Sequence, residues 1–248
     1  MESVVRTRLI VLDQAQAPGV CQSCDARSIS VCSAIDGKDL HRLASLATVQ
    51  QVGAGKTFIN EGDPADHFYN LTQGTVKLFK LLPDGRRQIT GFSHRGDFLG
   101  LAVSHSYAFS AEAVDQVRVC RFSRSALRRV MDDFPALEKR LLDVASNELV
   151  AAQEQMLLLG RKTARERVAS FLMAQEKRLS LCGHEMPDAL ELAMTRGDIA
   201  DYLGLTIETI SRTFTRLRNE GLIAILAADQ VRILDHDGLA ELADGFSE

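Results

Sequence analysis

The sequence has no long uninterrupted apolar run. Near the amino terminus it carries only the short stretch Leu9–Leu12, which Asp13 ends. This stretch is too short for the core of a signal peptide and far too short to cross a bilayer. We therefore expect a cytoplasmic protein with no membrane partner. The sequence also lacks a phosphate-binding glycine loop and any His or Ser in a recognisable nucleophile setting, so we do not expect an enzyme.

The sequence also has no excess of positively charged residues. The formal net charge of the 248 residues is -4, which argues against nucleic-acid binding by the whole surface and leaves only a local basic face for that role. Hydrophobic residues make up 46% of the chain and charged residues 25%, as in ordinary globular proteins. The length suffices for one large domain or two modest ones, and we expect two.

Cysteine is scarce and unevenly distributed. Of five cysteines, Cys21, Cys24 and Cys32 are crowded together with the spacing C-x2-C-x7-C, and only Cys120 and Cys182 lie elsewhere. Because cytosolic thiols are kept reduced, crowded cysteines indicate a metal or redox site rather than a disulfide framework. Four thiolates suit both zinc and an iron–sulfur cluster, and from the residues alone both remain possible.

Short strands are predicted after this cysteine-bearing arm. Between Gln51 and Phe122, glycines recur at short intervals and separate β-prone stretches, which is typical of a β-sandwich or jelly roll. The stretches are Lys56–Ile59, Phe68–Leu71, Thr75–Leu82, Arg87–Phe92 and Val117–Phe122. A hairpin turn is predicted at Pro83-Asp84-Gly85, and a short helix from about Lys38 to Thr48. Because side chains alternate between the faces of a strand, Cys120 could face outward and meet the arm.

Beyond Ser123 the pattern becomes helical. Apolar residues recur at alternating spacings of three and four, as in the a and d positions of a coiled coil, and predict a helix that pairs with a second copy. These positions are Leu142, Ala145, Leu149, Ala152, Met156 and Leu159. The alanines among them bury little apolar area, so the predicted dimer interface is marginal. The alternative is a helix that packs on its own domain.

After Gly160 the sequence predicts a winged helix-turn-helix. Its expected elements are a helix over Thr163–Leu181, an extended segment over Pro187–Leu192, helices over Arg196–Leu203 and Ile207–Asn219, and a wing of Leu222–Leu226 and Val231–Leu234. Thr195 and Asp198 have the form of a capping box, Gly204 supplies the turn between the two short helices, and Thr206 caps the second of them.

The second of these short helices carries candidate contacts to double-stranded DNA. Its first turns, where a recognition helix presents side chains to base edges, contain Glu208, Thr209, Ser211 and Arg212. Farther along, Arg216 and Arg218 could reach phosphates. Taken alone, such residues are more often simply solvated. The turn, the caps and the wing around them favour DNA binding.

Motifs in both halves carry a family resemblance that covers almost the whole chain. Gly55–Asp63 (GKTFINEGD), Phe68-Tyr69 and Gly74–Lys77 (GTVK) resemble the effector domain of the CRP/FNR regulators. Glu208–Arg212 (ETISR) resembles the recognition motif of the FNR branch, the oxygen-sensing regulators of anaerobic metabolism. The cysteine spacing resembles that of the FnrL/FnrN type.

The resemblance implies an α+β fold in four segments. They would be a cysteine arm over residues 1–37, a jelly-roll domain similar to cyclic-nucleotide-binding domains over 38–133, a long dimerisation helix over 134–160 and a winged helix-turn-helix over 161–248. The resemblance further implies that Cys21, Cys24, Cys32 and Cys120 bind an oxygen-labile 4Fe-4S cluster, whereas Cys182 matches no family ligand. The cluster would favour a homodimer that controls genes of anaerobic metabolism together with RNA polymerase.

The implied DNA site is a TTGAT-type inverted repeat. On it, Arg212 would contact a guanine, Glu208 the cytosine of the opposite strand and Ser211 a thymine. One departure concerns Ala152, which stands where several relatives carry an aspartate whose repulsion opposes dimerisation. We therefore expect the apoprotein to remain partly dimeric.

Other ligands fit the sequence less well. A cyclic nucleotide is not expected, because Phe109 stands where cyclic-AMP-binding relatives have an arginine for the phosphate and the acidic position is Asp97. Haem is not expected either, since none of the histidines in this part of the chain has a context that favours axial ligation; they are His41, His67, His94 and His105. The competing hypothesis is a zinc-stabilised or thiol-redox DNA-binding regulator of the same fold.

Overall fold

The computed structural model describes residues 10–11, 21, 23–101, 105–181 and 188–245. The chain divides into two compact units, Met1–Leu149 and Val150–Glu248, and the division falls inside one long helix. Among the described residues, no helix is long and apolar enough to cross a membrane. Cys182 and the start of the predicted extended segment at Pro187 lie outside the described residues.

Two antiparallel sheets form the β-domain of the first unit. The strand order is β1-β2-β9-β4-β7 in the first sheet and β3-β8-β5-β6 in the second. The strands are β1 (Ile10–Val11), β2 (Ala47–Val52), β3 (Thr57–Ile59), β4 (His67–Gln73), β5 (Val76–Leu81), β6 (Arg87–Ser93), β7 (Phe98–Leu99), β8 (Ser110–Ala113) and β9 (Val117–Ser123). This arrangement confirms the predicted β-sandwich.

The turn between β5 and β6 lies where the sequence predicts it. Leu81 pairs with Arg87 at the end of the hairpin, and Gly85 between them has a φ of 86°. Glycine adopts this left-handed conformation without the steric clash of a Cβ atom. The sequence does not predict β2, β7 or β8.

The predicted helix over residues 38–48 is wrong in its second half. Helix α1 spans Leu40–Ala44, and Ala47 already begins β2. Within β2, Ala47 is paired with Phe122 and Val49 with Cys120 of β9. Pairing with a distant strand therefore overrides the local leucine spacing.

The first sheet buries apolar side chains on both faces. Val117 and Val119 of β9 belong to the cluster inside the sandwich, whereas Cys120 and Phe122 belong to a cluster on the opposite, outer face. Besides the strands, this outer cluster contains residues of four helical segments: a 3-10 helix over Val31–Ala34, α1, α2 (Arg124–Asp133) and the first turns of α3 (Pro135–Arg161).

The second unit has the predicted winged helix-turn-helix. Its elements after the end of α3 are α4 (Ala164–Leu181), β10 (Leu190–Glu191), α5 (Arg196–Leu203), α6 (Ile207–Asn219), β11 (Ile223–Ala227), β12 (Gln230–Ile233) and α7 (His236–Asp244). The capping box at Thr195 and Asp198 is confirmed, and Gly204 ends α5 in the left-handed conformation. The sequence does not predict α7, which Asp235 caps by accepting from the N–H of Gly238 at 2.9 Å.

Candidate functional site

Cys120 lies in the middle of β9, on the outer face of the first sheet. Its cross-strand neighbours are Val49 of β2 and Asn70 of β4. Only 7% of the residue is exposed, and it belongs to the same apolar cluster as Val31 and Ile35. Both of these residues come from the arm, which also carries Cys21, Cys24 and Cys32. The fold therefore brings the distant cysteine against the segment that carries the other three.

The arm cysteines lie in short turns. The backbone N–H of Arg27 donates to the carbonyl oxygen of Cys24 at 3.0 Å. Ser30 caps the 3-10 helix, because its hydroxyl oxygen accepts from the N–H of Cys32 at 3.3 Å. The three arm thiols are half-buried and, like that of Cys120, form no disulfide. The sulfur atoms are thus held by local backbone structure and remain free to bind a metal.

Burial and the neighbouring cysteines oppose the ionisation of Cys32 and Cys120. Burial raises the pKa of Cys32 to about 11, and the charges of Cys21 and Cys24 add to this effect. Burial, followed by the charges of the other three cysteines, also raises the pKa of Cys120. The neutral thiol forms of Cys32 and Cys120 are therefore favoured, and a positively charged centre beside them would favour their ionised, ligating forms.

The donor set fits an iron–sulfur cluster in number and kind, since four cysteine thiolates are its usual ligands. Within the described ranges, no three His, Cys, Asp or Glu side chains lie close enough together to hold a single metal ion. What the fold does provide is one buried cysteine on β9, in the same apolar cluster as residues of the arm.

The arm is tied to the first turns of α3. Val31 shares the outer apolar cluster with Leu137 and Leu141 of α3. In addition, Nη2 of Arg140 donates to the backbone carbonyl oxygen of Ile29 at 3.3 Å. Both arm residues lie between the second and third arm cysteines. A change in the conformation of this loop would therefore alter its contacts with the first turns of α3.

The predicted dimer seam runs along an exposed stripe of α3. Leu142, Leu149 and Met156 are 67%, 61% and 66% exposed. The remaining seam positions follow the same face: Ala145 and Ala152 are exposed, and Leu159 is half-buried. Large apolar side chains at helical spacing are thus open to solvent in the single chain. A surface of this kind is suited to pairing with a second copy.

Helix α6 separates a buried face from an exposed one. Ile210, Phe214 and Leu217 are buried in the second unit. The candidate base-reading residues Glu208, Ser211 and Arg212 are exposed, and Thr209 is half-buried. The helix therefore presents to solvent the positions that the sequence assigns to the major groove.

Local hydrogen bonds fix the start of α6 and the side chains on its exposed face. Thr206 caps the helix, because its hydroxyl oxygen accepts from the N–H of Thr209 at 3.2 Å. A hydrogen bond from its own backbone N–H, and then one from Thr206, hold the pKa of Glu208 below its ordinary value. The carboxylate is therefore ionised and can accept from a base amino group. The hydroxyl of Ser211 donates to the carbonyl oxygen of Ile207 at 2.9 Å.

The two candidate phosphate-binding arginines lie at the other end of α6. Nε of Arg216 donates to Glu220 at 2.9 Å, and Arg165 of α4 pairs with the same carboxylate. Nη2 of Arg218 donates to Asn219 at 3.2 Å. Arg216 therefore has to leave or share an intramolecular partner before it can bind a phosphate. Arg218 has only a neutral partner to exchange.

Two arginines that the sequence does not single out support the helix-turn-helix. The guanidinium carbon of Arg196 lies 3.5 Å from the ring centroid of Phe214, which joins α5 to α6. Arg167 of α4 donates to the carbonyl oxygens of Leu159 and Leu203, both at 2.8 Å. It therefore links the last turn of α3 to the end of α5. Neither contact follows a short-range pattern that sequence analysis could detect.

Known proteins match the same two parts of the chain. The Cyclic nucleotide-binding domain family matches residues 49–134, and the Crp-like helix-turn-helix domain family matches residues 166–242. The chain is 45% identical over 207 residues to the nitrogen fixation regulation protein FixK of Bradyrhizobium diazoefficiens, across 83% of this chain and 86% of the relative. The chain belongs to the CRP/FNR family of transcription regulators.

Other CRP/FNR proteins are similar over most of the chain. The transcriptional activator protein FnrL of Cereibacter sphaeroides is 36% identical over 231 residues, which are 92% of this chain and 93% of the relative. The structure of FixK2 from Bradyrhizobium japonicum matches with a TM-score of 0.74 and 36% identity, across 79% of this chain and 96% of that one. The predicted family and fold are confirmed. The protein is a DNA-binding transcription regulator whose helix-turn-helix consists of α5 and α6.

Proposed function

We propose that this regulator senses oxygen through a 4Fe-4S cluster bound by Cys21, Cys24, Cys32 and Cys120. The loaded protein would form a homodimer that binds a TTGAT-type inverted repeat and controls genes of anaerobic metabolism through RNA polymerase. The observation that carries the proposal is the outward position of Cys120, where β9 brings its free thiol against the arm with the other three. When bound, such a cluster supplies four iron sites for the thiolates and a centre that oxygen can attack.

The chain transmits the state of the arm to α3 through packing. Ligation of Cys32 and Cys120 would fix the arm on the outer face of the first sheet. There, Val31 belongs to the same buried apolar cluster as Leu137 and Leu141 of α3. An ordered arm therefore stabilises one position of the first turns of α3, while a released arm removes those contacts.

The far end of α3 carries the effect to the DNA-binding helices. Arg167 holds the carbonyl oxygens of Leu159 and Leu203, so the last turn of the seam helix and the end of α5 move together. Pairing of two α3 helices would set two α6 helices about one DNA turn apart, as an inverted repeat requires.

A weak seam suits this switch. Full burial of the three large seam residues on both copies would contribute at most about 9–18 kcal/mol, at about 1.5–3 kcal/mol each, whereas association costs about 4–15 kcal/mol in lost freedom. The alanines Ala145 and Ala152 add little to the seam. The dimer is therefore close to balance, and a few kcal/mol from an ordered arm decide its population.

Metal analysis of protein purified without oxygen tests the proposal. The wild type should be brown, with about four iron and four acid-labile sulfide per chain. Cys120→Ala should lose the colour and the iron, because it removes the ligand that joins β9 to the arm. Cys182→Ala, the matched control, should keep both.

Two results would contradict the cluster. Colourless wild-type protein with one zinc per chain would support the zinc-stabilised regulator instead. Metal-free protein that responds reversibly to thiol oxidants would support a thiol-redox regulator. Full iron content in Cys120→Ala would show that Cys120 is not a ligand.

A further inference from the structure

Asn70 is a buried polar residue in an apolar setting. It lies in β4 on the outer face of the first sheet, directly opposite Cys120 of β9. Only 1% of the residue is exposed, and both Phe68 of the same strand and Phe98, its partner on β7, belong to the apolar cluster there. A buried carboxamide without adequate hydrogen bonds destabilises a fold. An apolar side chain would suit this position better unless the amide has a task.

The amide group of Asn70 is directed at a cysteine of the arm. Its Nδ2 atom lies 4.0 Å from Sγ of Cys32, at the long end of an N–H···S hydrogen bond. Its Oδ1 atom is buried and has no hydrogen-bond partner among the described residues. The donor end of the carboxamide is therefore the end that has a partner, and that partner is a sulfur atom.

A donor beside a thiolate favours the charged, ligating form over the free thiol. Hydrogen bonds to charged acceptors are also stronger than those to neutral ones. The Asn70–Cys32 contact is thus weak while Cys32 is a buried thiol and becomes stronger when Cys32 is a thiolate. In iron–sulfur proteins, hydrogen bonds to the sulfur atoms are among the features that set the reduction potential of the cluster.

We propose that Asn70 is a positioning residue that donates a hydrogen bond to the Cys32 thiolate and slows the loss of the cluster in air. The inference rests on the proposed function, because it needs a cluster on Cys32. It assigns to one residue of β4 part of the control over how quickly the regulator responds to oxygen.

Asn70→Leu tests this role with little change in volume. The decay of the cluster's visible absorption after mixing with air should be about three- to ten-fold faster than in the wild type, as expected for one lost hydrogen bond. The thermal stability of the apoprotein should be unchanged or higher, because leucine suits the apolar face. A residue needed only for packing would not move these two quantities in opposite directions.

Two further variants separate the donor from general effects on the sheet. Asn70→Ala also removes the donor but leaves a cavity, so it should lower apoprotein stability and still speed decay to a similar extent. Gln50→Leu is the matched control, since Gln50 is a buried amide of β2, the strand on the other side of β9, and its side-chain nitrogen and oxygen have no hydrogen-bond partner in the part of the chain that the structure describes. Gln50 is paired with Val119, which belongs to the cluster inside the sandwich, so Gln50 lies on the face away from the cysteines. Its replacement should leave decay unchanged.

The results distinguish this inference from the function on which it rests. Wild-type protein without iron would overturn both. Iron-loaded wild type with the same decay rate as Asn70→Leu would overturn the role of Asn70 alone, as would equal acceleration by Gln50→Leu.

Discussion

At the scale of single residues, Arg212 has the most specific expected role. It is exposed on α6 one turn from Glu208, whose ionised carboxylate lies on the same face. An arginine that pairs with guanine through two hydrogen bonds contributes about 1–3 kcal/mol of discrimination per half-site. Phosphate contacts, by contrast, position the protein without reading sequence.

Arg212→Ala should therefore abolish the preference for the inverted repeat and leave salt-sensitive general binding. Fluorescence anisotropy with the repeat and with scrambled DNA measures the ratio of the two affinities. Arg218→Ala is the matched control, since it should weaken binding to both DNAs alike and reduce the salt dependence by about one phosphate contact. Unchanged specificity in Arg212→Ala would mean that α6 does not read the repeat through this residue.

Residues with local partners are those that the sequence predicts best. Thr195 and Asp198 are three positions apart, and Gly204 ends α5 in the left-handed conformation that glycine favours, so these features follow from short-range patterns. The contact of Arg140 with Ile29 joins residues far apart in the chain. Only the folded structure brings them together. The same holds for Cys120, because alternation shows that it can face outward and only packing decides that it does.

At the scale of elements, α3 carries two kinds of exposed apolar residue. Leu149 lies on the seam and is 61% exposed, whereas Leu157 is 58% exposed and lies one position beyond the seam residue Met156. In a two-stranded coil the a and d positions of the seam and the flanking e and g positions contact the partner helix, whereas position b, which Leu157 occupies, does not. The two leucines are therefore almost equally exposed, but only Leu149 is expected to contact the partner helix.

Leu149→Glu should prevent dimerisation, because it places like charges opposite each other in the seam. Leu157→Glu should leave the dimer intact. Sedimentation velocity of the anaerobic proteins distinguishes the two outcomes. Monomers in both variants, or dimers in both, would contradict the predicted seam.

Elements held by distant pairing are those that the sequence misses. Helix α1 ends at Ala44 because Ala47 and Val49 pair with β9. Strand β8 is composed of Ser, Ala and Glu rather than β-branched residues, and it forms through its pairing with Val76–Phe79 of β5. In both cases the partner strand, and not local propensity, decides the conformation.

At the scale of the whole molecule, the proposed switch couples the arm to the seam through the first turns of α3. Arg140→Met removes the hydrogen bond to Ile29 and keeps an apolar side chain of similar reach. It should keep the full iron content but reduce the difference in dimer dissociation constant between loaded and apo protein, by about three- to ten-fold for one hydrogen bond. Lys139→Met, which changes an exposed neighbour, should leave that difference intact.

Operator affinity, measured on one anaerobic sample before and after admission of air, tests the central claim most directly. Iron and sulfide are determined on the same sample at each point. We predict that affinity for the inverted repeat falls in step with cluster loss, together with the dimer fraction. Because Ala152 carries no charge into the seam, some dimer should remain in the apoprotein. Affinity that stays constant while the cluster is lost would contradict the account.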